Sequence, residues 1–213
     1  MKHRVLAAAC AVLLGALSLA GCGESGPKEV ITEDQLGYGA TFVNDFSRDI
    51  VLSYDSRFLD AALLDKIFTY YDAIQKKDGE AFGSVMFPLY HDYQMNTVYE
   101  GKKSEQDIAE IMNKAVREKY DYDYEYTFVE ISDMISGNGV SQTRDSLLSM
   151  LNQLSQEKNG KKITADVQSL YELNMTTYVA EKGSGIRGET PDVLKDNTLF
   201  AIQYQNEWYL MYM

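Results

Sequence analysis

The sequence predicts an α+β domain, with N-terminal helices packed on a curved antiparallel sheet, and three observations carry that prediction. Apolar side chains recur every three or four residues between about Asp60 and Val116. From Tyr122 the apolar period shortens to two. The chain then closes on two apolar runs, Thr198 to Tyr204 and Trp208 to Met213, separated only by Gln205-Asn206-Glu207.

The elements follow in order along the chain. Lys2, His3 and Arg4 precede an apolar stretch from Val5 to Leu17. That stretch is shorter than the ~20 apolar residues a permanent membrane helix needs, and polar sequence follows at once, so residues 1–21 read as an export signal. Leu19-Ala20-Gly21-Cys22 closely resembles the lipobox of bacterial lipoproteins. The resemblance implies cleavage between Gly21 and Cys22, diacylation of the Cys22 sulfur, and attachment to the extracytoplasmic side of a cell membrane. Each buried methylene of such a lipid contributes ~0.8 kcal/mol, and two acyl chains suffice for lasting anchorage. Residues 22–45 mix glycine, acids and isolated apolar residues and read as a lipidated tether, leaving 46–213 as the domain.

Within the domain, Ile50-Val51-Leu52 reads as a short strand or a segment packed on the core. Leu59, Leu63, Ile67, Tyr70, Tyr71 and Ile74 share one face of a helix from about Asp60 to Lys76. Asp78-Gly79 breaks it, and Asp78 caps a second helix through Phe82, Val85 and Met86 that Pro88 ends. Ser104-Glu105-Gln106-Asp107 has the form of a capping box ahead of Ile108, Ile111, Met112, Ala115 and Val116. A third helix follows.

Tyr122, Tyr124, Tyr126 and Phe128 alternate with Asp121, Asp123, Glu125 and Thr127, which predicts a strand with its rings inward and one wet face. Leu147, Leu148, Leu151 and Leu154 mark another helix, stopped at Asn159-Gly160. The alternating run from Ile163 to Val179 is long for one straight strand, so a bulge is expected near Ser169. The last two runs form an antiparallel hairpin.

The segment Leu64 to Pro88 (LDKIFTYYDAIQKKDGEAFGSVMFP), together with the closing Glu207-Trp208-Tyr209-Leu210, resembles the nuclear-transport-factor-2-like domains, also grouped as cystatin-like. That resemblance implies a cone-shaped pocket between the curved sheet and the long first helix. Tyr70, Tyr71, His91, Tyr124, Tyr126 and Trp208 are the candidate pocket residues. The same rings are what a filled core contains, so an open and a filled cone both stand.

Composition narrows the partners. After cleavage the chain keeps 18 basic against 32 acidic side chains, the reverse of a phosphate-binding footprint, so no nucleic acid is expected. Cys22 is the one cysteine left and the lipid consumes it, which leaves no disulfide, thiol nucleophile or cysteine metal site. His91 is the one remaining histidine, so a multi-histidine zinc site is impossible. Gly183-Ser184-Gly185-Ile186-Arg187-Gly188 has dinucleotide-fingerprint spacing, but Pro191 and no helical pattern follow it, which favours a hairpin loop. Asp121, Asp123 and Glu125 have the opening spacing of a calcium loop, yet Tyr126 stands where that loop needs glycine. Neither cofactor nor metal is expected. Two functions of different class remain. One is a membrane-anchored lipoprotein that binds a small apolar ligand or an envelope protein without catalysis. The other is an isomerase- or hydratase-like enzyme with a pocket Asp or Glu as base and a Tyr as proton donor.

Overall fold

A computed structural model describes residues 36–137 and 139–213. The expected export signal, the expected cleavage between Gly21 and Cys22, and Cys22 itself, the expected lipidation position, lie outside the described residues. The elements are β1 (Phe42–Asp45), β2 (Val51–Asp55), α1 (Ala61–Lys76), α2 (Gly79–Val85), α3 (Pro88–Tyr93), α4 (Glu105–Tyr120), β3 (Tyr124–Ile135), α5 (Gln142–Asn159), β4 (Val167–Glu181), β5 (Asp192–Tyr204) and β6 (Glu207–Tyr212). The class is α+β, and the six strands lie in chain order in one sheet.

The helices start and stop where local chemistry dictates. The Asp60 carboxylate accepts from Leu63 N at 2.8 Å and opens α1, while Lys76 lies in its last turn. Asp78 caps α2 through Ala81 N. In α2, a Cβ on Gly79 would lie 2.4 Å from the backbone nitrogen of Gln106, so glycine alone permits this approach of α2 to the first turn of α4. Pro88 does not end α2. It opens α3 instead, at a position where its missing N–H costs nothing. Ser104 and Asp107 cap each other reciprocally at the start of α4, and Gly160 in the left-handed region closes α5.

The sheet departs from expectation in two ways. It is mixed, because β2 runs parallel to β3, with Leu52 beside Val129; the other strand pairs are antiparallel. Helices also cover both faces. On one side α1, α2 and α4 pack Leu63, Ile67, Phe82 and Ile108 with Leu199, Ala201, Trp208 and Leu210. On the other, Leu147 and Leu151 of α5 pack with Phe200, Ile202 and Met211. The run Leu199-Phe200-Ala201-Ile202 is apolar at every position because both of its sides are buried.

Three further boundaries are corrected. The folded unit begins at Gly37 rather than at residue 46, so the last part of the expected tether belongs to the domain. Buried Asp55 holds that segment: it accepts from Gly39 N at 2.9 Å and Thr41 Oγ1 at 2.7 Å, and from Arg57 Nε at 2.9 Å. The Arg57 guanidinium keeps the Asp55 carboxyl well below the usual carboxylate range, against the opposing effect of burial. Next, β3 begins at Tyr124, because Asp121 takes the left-handed cap of α4. Lastly, the long alternating run opens with a 3₁₀ turn at Ile163–Ala165 before β4 begins at Val167, and the register of β4 against β5 shifts between Val167 and Ser169.

The tyrosine strand also changes face. Tyr126 pairs with Val179 but Phe128 pairs with the adjacent Tyr178, so Thr127 is an extra, bulged residue. Tyr124 and Tyr126 therefore face α1 and α4, whereas Phe128 packs on Tyr178 across the opposite face with ring centroids 5.5 Å apart. The bulged Thr127 is buried, and its hydroxyl donates to Gly188 O at 2.7 Å.

Trp208 joins the last strand to the first helix. Its indole is 5% exposed, packs on Tyr171, and donates Nε1–H to Asp60 Oδ2 at 2.9 Å, the carboxylate that caps α1. Replacing Trp208 by Ala should destabilise the domain by roughly 3–5 kcal/mol. Denaturant unfolding checks this, and an unchanged midpoint would remove the indole from the core.

Candidate functional site

Helical spacing brings Tyr70, Tyr71 and Ile74 of α1 to one side of a cleft, facing Met112, Ala115 and Val116 of α4. The sheet supplies the floor through Tyr126, Thr177, Leu194 and Leu199, and Asn197, Thr198 and Tyr212 complete the walls. The cleft measures about 400 Å³, within the range of small-molecule sites. None of these residues has a charged side chain. A larger depression of about 530 Å³ lies beside α4, but Lys77, Glu110, Lys114, Arg117 and Glu118 line it with opposed charges at the surface.

The rings at the cleft are positioned by one another. Tyr70 and Tyr71 meet edge to face with centroids 5.2 Å apart, and Tyr71 meets Tyr126 in the same way at 5.1 Å. Tyr124 stands behind them, its ring 5.2 Å from that of Tyr126 and its hydroxyl 3.2 Å from the Asn113 amide nitrogen. The Tyr70 hydroxyl lies 3.9 Å from the Met112 sulfur, and that of Tyr212 lies 3.5 Å from Tyr99 Oη. The Tyr71 hydroxyl has no partner among the described residues.

Burial sets the protonation of this cluster. Removal from water pushes the phenol of Tyr124 up to about 12 and raises those of Tyr70, Tyr71, Tyr126 and Tyr212, because a phenolate would be unsolvated there. At neutral pH these groups are uncharged hydroxyls. They can donate or accept hydrogen bonds, and they cannot serve as bases. Among the described residues, no Asp or Glu side chain lines the cleft to take that role.

Of the residues singled out from the sequence, the structure brings Tyr70, Tyr71 and Tyr126 together along the cleft and sets Tyr124 as their support. Two lie elsewhere. His91 sits on α3 with Nε2 3.1 Å from Glu105 Oε1, linking α3 to the first turn of α4. Trp208 is occupied by Tyr171 and Asp60, because its place on β6 is at the opposite end of the strand from Tyr212. Asp123 pairs with Arg117 at 3.0 Å, and Glu125 accepts from Gly183 N and Ser184 Oγ. Among the described residues no group of three or more His, Cys, Asp or Glu side chains is placed to hold a metal ion. The Gly183–Gly188 segment joins β4 to β5, and a strand follows it where a dinucleotide site needs a helix.

Sequence reasoning missed two residues that hold the site in place. Asn113 is buried on α4, with its amide nitrogen 3.1 Å from Ile74 O, 3.2 Å from Gln75 O and 3.2 Å from the Tyr124 hydroxyl. Gln75 accepts from Tyr126 N through its side chain at 2.6 Å. The end of α1, the middle of α4 and the start of β3 are thus tied by two amides. The signal for Asn113 was its position: it falls between Ala109 and Val116 on the apolar stripe, where a polar residue needs partners.

No protein family, curated protein or solved structure matches this chain.

Replacing Asn113 by Ala leaves carbonyls at the end of α1 without their donor and should cost roughly 1–3 kcal/mol. Chemical denaturation gives the value. Stability equal to that of the parent would show that Asn113 does not hold α1 to α4.

Proposed function

We propose that this protein is a lipid-anchored extracytoplasmic lipoprotein whose domain binds a small apolar molecule in the tyrosine-lined cleft, without catalysis. The carrying observation is the Tyr71 hydroxyl, a neutral donor without a partner among the described residues, at the wall of a cleft otherwise made of rings, aliphatic side chains and uncharged polar groups. Apolar walls favour burial of hydrocarbon, at about 25 cal/mol per Å² removed from water. One free hydroxyl selects, within that class, a ligand with a hydrogen-bond acceptor such as a carbonyl or ether oxygen. The lack of a cationic side chain disfavours carboxylates and phosphates, since nothing offsets their desolvation.

The lipid anchor is supported by Lys2 to Arg4, the apolar run and Leu19-Ala20-Gly21-Cys22. The reading of the domain as a nuclear-transport-factor-2-like, cystatin-like cone is supported by the way α1 packs Tyr71 onto Tyr126 of the sheet, with the cleft opening beside them. For the isomerase- or hydratase-like alternative, no carboxylate side chain among the described residues lines the cleft to act as base.

Nile red, a neutral dye with a carbonyl oxygen, should bind the mature chain saturably in the micromolar range. Tyr71→Phe should weaken that binding by about 2–10-fold, the value of one hydrogen bond. Ala115→Trp, at an exposed position on the rim, should abolish it while leaving the melting temperature in place. Non-saturable binding, or binding indifferent to Ala115→Trp, would sink the cleft as the site.

The anchor is tested separately. Cys22→Ser should release the folded domain from membranes or leave an uncleaved precursor. Recovery of a mature-sized Cys22→Ser protein in the membrane fraction would refute lipidation at this residue.

A further inference from the structure

Exposed apolar side chains gather at one edge of the domain. β1 is an edge strand, and Phe42, Val43 and the following Phe46 are 41%, 40% and 55% exposed. A second segment joins them. Arg187, in the β4–β5 loop, donates to Phe46 O at 2.7 Å and to Arg48 O, which brings the neighbouring Ile186, 48% exposed, to the same edge. Arginine also concentrates here in an otherwise acidic protein. Of the five arginines after Cys22, Arg48 follows β1, Arg57 donates to Gly37 O at 2.8 Å, and Arg187 grips the backbone beside Phe46. Arg187 forms no ion pair among the described residues, so its charge is uncompensated.

We infer that this edge rests in the interfacial layer of the bilayer that carries the anchor, with Phe42, Phe46 and Ile186 reaching toward the acyl chains and Arg187 among the headgroups. The inference rests on the lipid attachment at Cys22 proposed above. Only the residues from Gly23 to Leu36 separate that cysteine from the folded unit, a reach of at most about 50 Å at ~3.3–3.6 Å per residue. β1 is the first element among the described residues. Tethering makes the contact intramolecular, so a small apolar patch suffices where it would be too weak for a free domain. An amphipathic element sits ~5–10 Å into the headgroup boundary, a depth at which water and headgroups still satisfy the unpaired backbone groups of an edge strand.

A second copy of the chain is the weaker occupant. Stable interfaces bury about 800 Å² on each partner, more than four partly covered side chains supply, and a four-residue edge strand is a poor template for sheet extension.

The test holds the domain at a membrane without using Cys22. The chain from Gly23 onward, with a histidine tag in place of Cys22, is tethered to phosphatidylcholine vesicles containing a nickel-chelating lipid. A solvatochromic label is attached at Phe46→Cys or, as control, at exposed Ile111→Cys on α4. On tethering, the label at 46 should shift to the blue and be quenched by brominated acyl chains, while the label at 111 should do neither. Phe42→Ser should diminish the response at 46. A label at 46 that stays in water, or responses equal at 46 and 111, would overturn the inference. So would a shift at 46 that vanishes at low surface density, which would mark a second copy as the occupant. Since the tag supplies the tether, these outcomes are independent of whether Cys22 is lipidated.

Discussion

The extra residue at Thr127 governs how the rest of this structure is arranged. A strand that alternated without interruption would put Tyr124, Tyr126 and Phe128 on one face. The bulge instead releases Phe128 to the opposite side and returns Val129 and Ile131 to the helices. The helix-facing side of β3 is therefore aromatic and hydroxylated before the bulge and aliphatic after it. Leu52 of the parallel strand β2 packs at the aliphatic end, which closes, while the cleft lies at the tyrosine end, which stays open. The Thr127 hydroxyl is bonded to Gly188 O, so the bulge also fixes the loop between β4 and β5.

An open cleft in a small domain needs walls that do not collapse. Here the walls are stiff rings locked edge to face, and the helices behind them are joined by side-chain amides rather than by apolar contact alone. Asn113 and Gln75 link α1, α4 and β3 through directional bonds, which a shift of one element would break. Placing neutral hydroxyls and amides in the interior avoids the desolvation cost that a carboxylate there would carry. Among the described residues, that choice leaves the cleft lined by uncharged side chains.

Much of the fold was legible in the sequence because its signals are local. The caps at Asp78 and Ser104, the break at Gly160 and the closing hairpin each follow from residues within one turn of the feature they specify. What was not legible depends on partners distant in the chain. The parallel pairing of β2 with β3 joins Leu52 to Val129 across four intervening helices, α1 to α4. The change of face at Thr127 follows from the register against Tyr178, which no periodicity within β3 reveals. Burial of both sides of β5 was written in the unbroken run Leu199 to Ile202, but an alternating template passes over it. At the cleft, spacing put Tyr70 and Tyr71 on the inward face of α1 and Tyr126 on the inward side of β3. Trp208 and His91 were misplaced because aromatic character alone does not say which end of a strand, or which side of a helix pair, a ring will occupy.

The Asp55 cluster has a mechanical meaning. Gly37 O, Gly39 N and Thr41 Oγ1 are all bonded to Arg57 or Asp55, and all precede the first paired residue of β1. A pull entering the domain from its N-terminal side therefore loads these short, charge-assisted bonds before it reaches any bond between strands. They share the force, since the carboxylate and guanidinium that receive them are themselves clamped together. The cluster acts as a strain relief, of the kind fitted where a cable enters its housing: β1 and the sheet behind it stay unloaded until the Asp55–Arg57 knot gives way.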